Sequence, residues 1–114
     1  MTSQAVNLDN LREMTGGDPD LEKELFTVYL DSAEICLNAL RESCGAGAEE
    51  TWRTQAHAWK GMSLNLGADL LGKLCAEAQM GNTAPEDKKR ELLQSIEAAY
   101  AEVKTFLQAQ IAGS

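Results

Sequence analysis

The chain contains a single histidine, His57, within a stretch whose apolar residues recur at helical spacing. That apolar stripe consists of Trp52, Ala56, Trp59, Ser63 and Leu66. On a helix with about 3.6 residues per turn, His57 lies about 140° from the centre of the stripe. We therefore expect its imidazole to face solvent. Near neutral pH an imidazole is largely unprotonated and nucleophilic, so His57 is either a carrier of a transferable group or an exposed side chain without a role.

The predicted helix face of His57 includes four residues of chemical interest, each three, four or seven positions away along the helix. They are Arg53, Lys60, Gly61 and Leu64. Lys60 could offset the negative charge of a phosphoryl group on the ring; the alternative is an ordinary solvated lysine. Gly61 lowers helix stability by roughly 0.5–1 kcal/mol relative to alanine. It therefore indicates either close approach by another molecule or a tolerated glycine.

The segment AHAWKGMSLNLGA, residues 56–68, resembles the signature of the histidine-phosphotransfer (HPt) domain family, with His, Lys-Gly, Ser and Gly-Ala in register. The likeness continues upstream over residues 11–19 and downstream over residues 74–79. Trp59 replaces the smaller aliphatic residue that is usual before Lys-Gly, and Met62 replaces a small or hydroxyl residue. These departures leave the histidine site intact.

The resemblance implies that His57 accepts the phosphoryl group through Nε2 and that Lys60 compensates its charge. Gly61 would leave space for a receiver domain. The expected docking face comprises Arg53, Gly61 and Leu64. Family members often have a polar residue at the position of Gln79, whose amide could orient the imidazole; an ordinary surface glutamine is the alternative.

By the same resemblance, the partners are receiver domains of a hybrid sensor kinase, a response regulator or both. Each receiver would supply the acidic residues and Mg²⁺ that organise in-line transfer, so the chain needs no cofactor of its own. No Walker-type or glycine-rich nucleotide motif is present, so we expect a phosphoryl carrier without ATP-dependent kinase activity. Two alternatives stand beside it. One is a receiver-binding adaptor without transfer, and the other is a small helical enzyme, for which no nucleophile–base or metal constellation is visible.

The elements that position this face are predicted to be helices, since no sustained alternation indicates strands. We expect one domain over residues 1–114, an antiparallel up-down-up-down four-helix bundle with a short N-terminal capping helix. The predicted helices span residues 7–14, 18–43, 48–65, 68–80 and 85–111. Asp18-Pro19 indicates a capped helix start, and residues 83–86 match a capping box. Helices 48–65 and 68–80 should form an antiparallel hairpin.

The apolar residues of these helices predict the core. The first helix contributes Leu8, Leu11 and Met14. The second contributes Leu21, Leu25, Phe26, Val28, Tyr29, Ala33, Ile35, Cys36, Leu37 and Leu40, a stripe wide enough to contact two neighbouring helices. The fourth contributes Leu70, Leu71, Leu74, Cys75 and Ala78, and the last contributes Leu93, Ile96, Tyr100, Val103, Leu107 and Ile111.

Composition narrows the class of protein. The 114 residues carry a formal net charge of -8, which disfavours nucleic acid and anionic lipid as partners. Three cysteines without CxxC spacing make a disulfide framework or zinc site improbable and are interpreted as reduced. Neither a signal peptide nor a membrane-spanning run is visible, so we expect a cytoplasmic protein. We also expect it to be a monomer.

Overall fold

The computed structural model describes residues 5–113, which form five helices and no strand. The helices are α1 Asp9–Thr15, α2 Pro19–Glu42, α3 Glu49–Leu66, α4 Asp69–Met80 and α5 Glu86–Ala112. The predicted all-α class is confirmed, and each predicted helix end lies within two residues of the observed one. Residues 1–4 and 114 of the predicted domain lie outside the described residues.

Two predicted helix starts have different outcomes. Asp18 caps α2 as expected, because its Oδ1 accepts the backbone N–H groups of Asp20 at 3.0 Å and Leu21 at 3.3 Å. The predicted capping box at residues 83–86 is wrong, since α5 begins after Pro85 and no side chain caps it. A residue that precedes proline is disfavoured in the helical conformation. The helix therefore starts two residues too late for Thr83 to cap its first amides.

Helices α2 to α5 form a ring in which each helix contacts its two neighbours, and α1 packs on α2 and α3. Ion pairs show the direction of α2 relative to α5. Arg41 pairs with Glu97 at 2.7 Å. Seven residues earlier in α2, Glu34 pairs with Lys104 at 3.3 Å, seven residues later in α5. The two helices therefore run antiparallel.

Aromatic contacts show that α3 runs parallel to α5. The Lys89 ammonium lies 5.4 Å from the ring centroid of Trp52, and further along both helices the rings of Trp59 and Tyr100 meet edge to face at 5.3 Å. Because α2 is antiparallel to α5, it is also antiparallel to α3. The predicted core positions of Trp52 and Trp59 are confirmed, since neither has any exposed surface.

The hairpin of α3 and α4 is closely packed at its turn. Trp52 Nε1 donates to the carbonyl of Ala78 at 2.7 Å, and at the other end of α3 Leu64 covers Gly72. These contacts pair the start of α3 with the end of α4, so the two helices are antiparallel. Gly67 forms the turn with a φ of 100°, and a Cβ there would collide with the carbonyl oxygen of Asn7.

Several apolar residues predicted to be buried are exposed instead. On α2 these are Leu21 (38%), Leu25 (38%), Val28 (61%) and Ile35 (67%), and elsewhere they are Leu70 (58%) and Met14 (70%). We call Leu21, Leu25, Val28 and Ile35 the outer α2 stripe. The core face of α2 comprises Phe26, Tyr29, Ala33, Cys36, Leu37 and Leu40. Contacts with α3 and α5 bury this face alone, so the outer α2 stripe stays at the surface.

A hydrogen-bonded cluster joins α2 to α3 inside the core. The hydroxyls of Tyr29 and Ser63 lie 2.9 Å apart, and Trp59 Nε1 donates to the Tyr29 hydroxyl at 3.2 Å. These bonds satisfy polar groups that would otherwise be buried without partners. Burial raises the pKa of Tyr29 to about 12. The three cysteines are free thiols packed in the same interior, as the sequence predicted.

Candidate functional site

His57 lies in the middle of α3 with its side chain exposed, as the apolar spacing predicted. Its neighbours Ala56 and Trp59 are completely buried, as are Trp52 and Ser63 one or two turns away. These contacts determine the rotation of α3 about its axis. The burial of the opposite face therefore holds the imidazole outward.

The four residues predicted to share this face are all at least partly exposed. Arg53 and Leu64 are exposed, whereas Lys60 and Gly61 are half-buried. Gly61 has no atom within 4 Å of the position that a Cβ would occupy, and its φ is not positive. The fold itself therefore gives no steric or conformational reason for a glycine at this position.

The contact between Leu64 and Gly72 also indicates which part of α4 faces His57. Antiparallel helices advance by the same rise per residue, and seven residues correspond to about two turns. His57 lies seven residues before Leu64, and Gln79 lies seven residues after Gly72. Gln79 is half-buried and by this count lies near the level of His57 on the side of α4 that faces α3, while its neighbour Ala78 contacts Trp52.

On the other side of α3, the Tyr29–Ser63 hydrogen bond relates α3 to the antiparallel α2. Ile35 lies six residues after Tyr29, and His57 lies six residues before Ser63, so the two are level. By the same count Val28 is level with Leu64, so this half of the outer α2 stripe runs alongside the middle and end of α3, whereas Leu21 lies beyond the end of α3. The sequence analysis missed this surface because it assigned the stripe to the core. The apolar residues of α2 cover a wider arc than contacts with two helices can bury, and that width was the signal for an exposed apolar surface.

The charge on α3 differs from that of the whole chain. The protein carries -8, yet residues 51–66 contain Arg53 and Lys60 and no acidic residue. Glu49 and Glu50 make α3 neutral as a whole, but the exposed imidazole has a cation about one turn away on either side, Arg53 and Lys60. This environment favours the approach of an anionic group. Among residues 5–113, no three His, Cys, Asp or Glu side chains lie together as a metal site.

The arrangement is an open helix face that presents one imidazole with two cationic side chains nearby, and among residues 5–113 no side chain forms a hydrogen bond or ion pair with that imidazole. Such a face can accept a phosphoryl group whose transfer is organised by a second protein, because that protein supplies the other reacting groups. In the described part of the chain, no helix has both the length and the apolar character that crossing a bilayer requires.

Comparison with known proteins agrees with this chemistry. The sequence profile of the Hpt domain family matches residues 24–109. Among solved structures, the chain is similar to the crystal structure of histidine-containing phosphotransfer protein B (HptB) from Pseudomonas aeruginosa PAO1. The identity is 25%, the TM-score is 0.85, and the alignment covers 99% of each chain. A search of the curated proteins finds no match. The chain belongs to the Hpt domain family and is a histidine phosphotransfer protein of a phosphorelay.

Proposed function

We propose that His57 is the residue that carries the phosphoryl group between receiver domains. The observation that carries this proposal is that the only histidine of the chain lies exposed on a helix face, with a cationic side chain about one turn away on either side. A family that works through phosphohistidine requires such a residue, and this chain offers no other.

In the forward step, the lone pair of the unprotonated ring nitrogen, Nε2 by family resemblance, attacks the phosphorus of an aspartyl phosphate on a receiver. An N–P bond forms, the P–O bond to the aspartate breaks, and its electron pair stays on the aspartate carboxylate. Transfer to a second receiver reverses these events. Mg²⁺ bound by the receiver supplies further charge neutralisation, and the chain itself brings the imidazole and Lys60.

Lys60 lies one turn beyond His57 on the same face, so its flexible side chain can place an ammonium beside the phosphoryl oxygens. Gln79 is level with the ring on α4, and its amide is suited to hold one imidazole orientation. The carrier takes its phosphoryl group from receivers and not from ATP. We propose that it acts as a cytoplasmic monomer.

The receiver docks, in this proposal, on the face formed by Arg53, Gly61 and Leu64 and on the adjoining outer α2 stripe. The α3 part of this surface carries Arg53 and Lys60 and is complementary to a partner whose reacting centre is acidic. The α2 part contributes apolar contact, beside the exposed Glu24 and Asp31. Gly61 lets that centre approach the helix closely. Leu64 is 47% exposed and covers Gly72, so it contributes both to docking and to the α3–α4 contact.

The test is phosphorylation of the wild-type protein and of His57→Gln by a radiolabelled phosphoreceiver. The variant should lose acid-labile label completely, while its circular dichroism and melting temperature stay near the wild-type values because the side chain is exposed. Label retained by His57→Gln would refute the assignment. A wild-type protein that binds receivers without taking label would instead be a receiver-binding adaptor.

The docking surface is tested separately with Ile35→Asp, which places a charge on the outer α2 stripe. Ile35 is 67% exposed, and Met14 on α1 is a matched control at 70% exposure. Ile35→Asp should weaken receiver binding about tenfold or more, whereas Met14→Asp should bind like the wild type. Equal affinities for the two variants would remove α2 from the docking surface.

A further inference from the structure

A second site lies where the chain enters α3 and α5, at the end of the bundle formed by two loops. A pocket of about 280 Å³ opens there between residues 44–49 and residues 83–89. It lies about two turns of α3 from His57, since Glu49 begins the helix. It is therefore separate from the face proposed for phosphoryl transfer.

Lys89 lines this pocket and is 1% exposed. Its ammonium lies over Trp52, 5.4 Å from the ring centroid. Within residues 5–113, no carboxylate, carbonyl or hydroxyl forms a hydrogen bond or ion pair with that ammonium. Buried charges in proteins are ordinarily paired. In this part of the chain the Lys89 ammonium has no directly bonded anion, and the little surface that it keeps belongs to a residue that lines the pocket.

The two acidic residues of the pocket are engaged elsewhere. Glu86 pairs with Arg90 at 2.6 Å. The nearby backbone N–H groups of Glu49 and Gly47 hold the pKa of the Glu49 carboxyl below its ordinary value. Glu49 acts on Lys89 only through space. Neither glutamate therefore completes the coordination of the Lys89 ammonium.

The same pocket contains the start of α5, whose first amides have no side-chain cap. Uncapped N–H groups and the positive end of the helix dipole attract anions. The buried lysine and these amides are independent groups that favour the same kind of ligand. Both border one concave volume.

We infer that this pocket binds a small carboxylate, with one carboxylate oxygen on the Lys89 ammonium and with the first amides of α5 close by. A monoanion fits better than a phosphate dianion, because Glu49 and Glu86 line the same pocket and their repulsion, which acts on any anion, is about twice as large for a dianion. The site goes beyond the proposed phosphoryl transfer and does not depend on it.

The experiment is a titration of the isotopically labelled full chain with sodium acetate, inorganic phosphate and sodium chloride at equal ionic strength. Acetate should give saturable amide shifts confined to residues 44–49 and 83–89, phosphate should bind more weakly, and chloride should give no saturable change. The absence of saturable acetate shifts at these residues would overturn the inference. Phosphate binding tighter than acetate would overturn the assignment to carboxylates.

Two neighbouring lysines provide matched variants. Lys89→Met should weaken acetate binding about tenfold or more. Lys88→Met should stay within about twofold of the wild type, since the Lys88 side chain is 60% exposed and exposed charges contribute little. Equal affinities in the two variants would contradict the role of Lys89. If Lys89→Met does not fold, the wild-type titration decides. His57→Gln should keep its acetate affinity, so failure of the phosphoryl-transfer proposal remains distinguishable.

Discussion

Replacing Gly61 by glutamine should stabilise the protein and slow phosphoryl transfer at the same time. A Cβ at Gly61 would meet no atom within 4 Å, and the φ of this residue lies outside the positive range. The substitution therefore adds no clash or backbone strain to the folded protein. If Gly61 were present for stability alone, replacing it would have to lower the free energy of unfolding. The structure shows no contact or backbone angle that would cause such a loss.

The expected gain follows from helix propensity. A glycine inside a helix is less stable than alanine by roughly 0.5–1 kcal/mol, and glutamine is nearly as good a helix former as alanine. For a chain of this length, that gain corresponds to a rise in melting temperature of roughly 2–5 °C. Gly72→Ala is the contrasting variant, because its Cβ would lie 2.6 Å from Leu64 Cδ2. It should gain no stability.

The glutamine side chain would stand one turn from His57, where the receiver has to approach. Transfer from a phosphoreceiver should therefore slow about tenfold or more, or about 1.4 kcal/mol in activation free energy. Labelling by phosphoramidate, a small donor, should stay at the wild-type rate because the imidazole itself is unchanged. Thermal melts, receiver affinity and both labelling rates are measured on the same preparations. Wild-type receiver transfer by Gly61→Gln would refute the docking argument.

Three further outcomes are expected. Lys60→Ala should slow transfer or shorten the phosphohistidine lifetime while leaving receiver affinity unchanged, because its proposed role is charge compensation; wild-type rates would make it a solvated bystander. Gly67→Ala should lower the free energy of unfolding by about 2 kcal/mol or more, measured by urea titration, since a Cβ there meets the Asn7 carbonyl at a positive φ. The pKa of Tyr29 is raised from 10.0 to about 12, so the folded state keeps this proton longer. Stability should fall between pH 10 and 12, by up to about 3 kcal/mol from this group. Tyr29→Phe should show a shallower fall, and an unchanged slope would contradict the assignment.

Local patterns determined much of this protein. Apolar spacing in α3 was sufficient to predict that His57 faces solvent. Burying one side of a helix fixes the rotation of the helix about its axis, and with it the direction of every side chain. Asp18-Pro19 was sufficient to locate the start of α2, since capping depends on neighbouring residues alone. The segment around Lys60 and Gly61 was sufficient to indicate the family.

Only the tertiary structure decided which apolar residues stay exposed. Val28 and Ile35 have the composition of a core, but the number and position of neighbouring helices determine what α2 can bury. The position of Gln79 along the bundle axis relative to His57 likewise depends on the contact between Leu64 and Gly72. Such properties depend on contacts between residues far apart in the chain.

Lys89 illustrates the same limit most clearly. It continues the inward stripe of α5 one turn before Leu93, a position at which sequence reasoning expects a charged residue to lie at the surface. Lys89 is buried because its side of α5 faces Trp52 and because two loops cover that end of the bundle. Helical periodicity specifies the direction of a side chain from its own helix axis, whereas the surrounding helices and loops determine whether that direction leads to solvent, to the core or to a pocket.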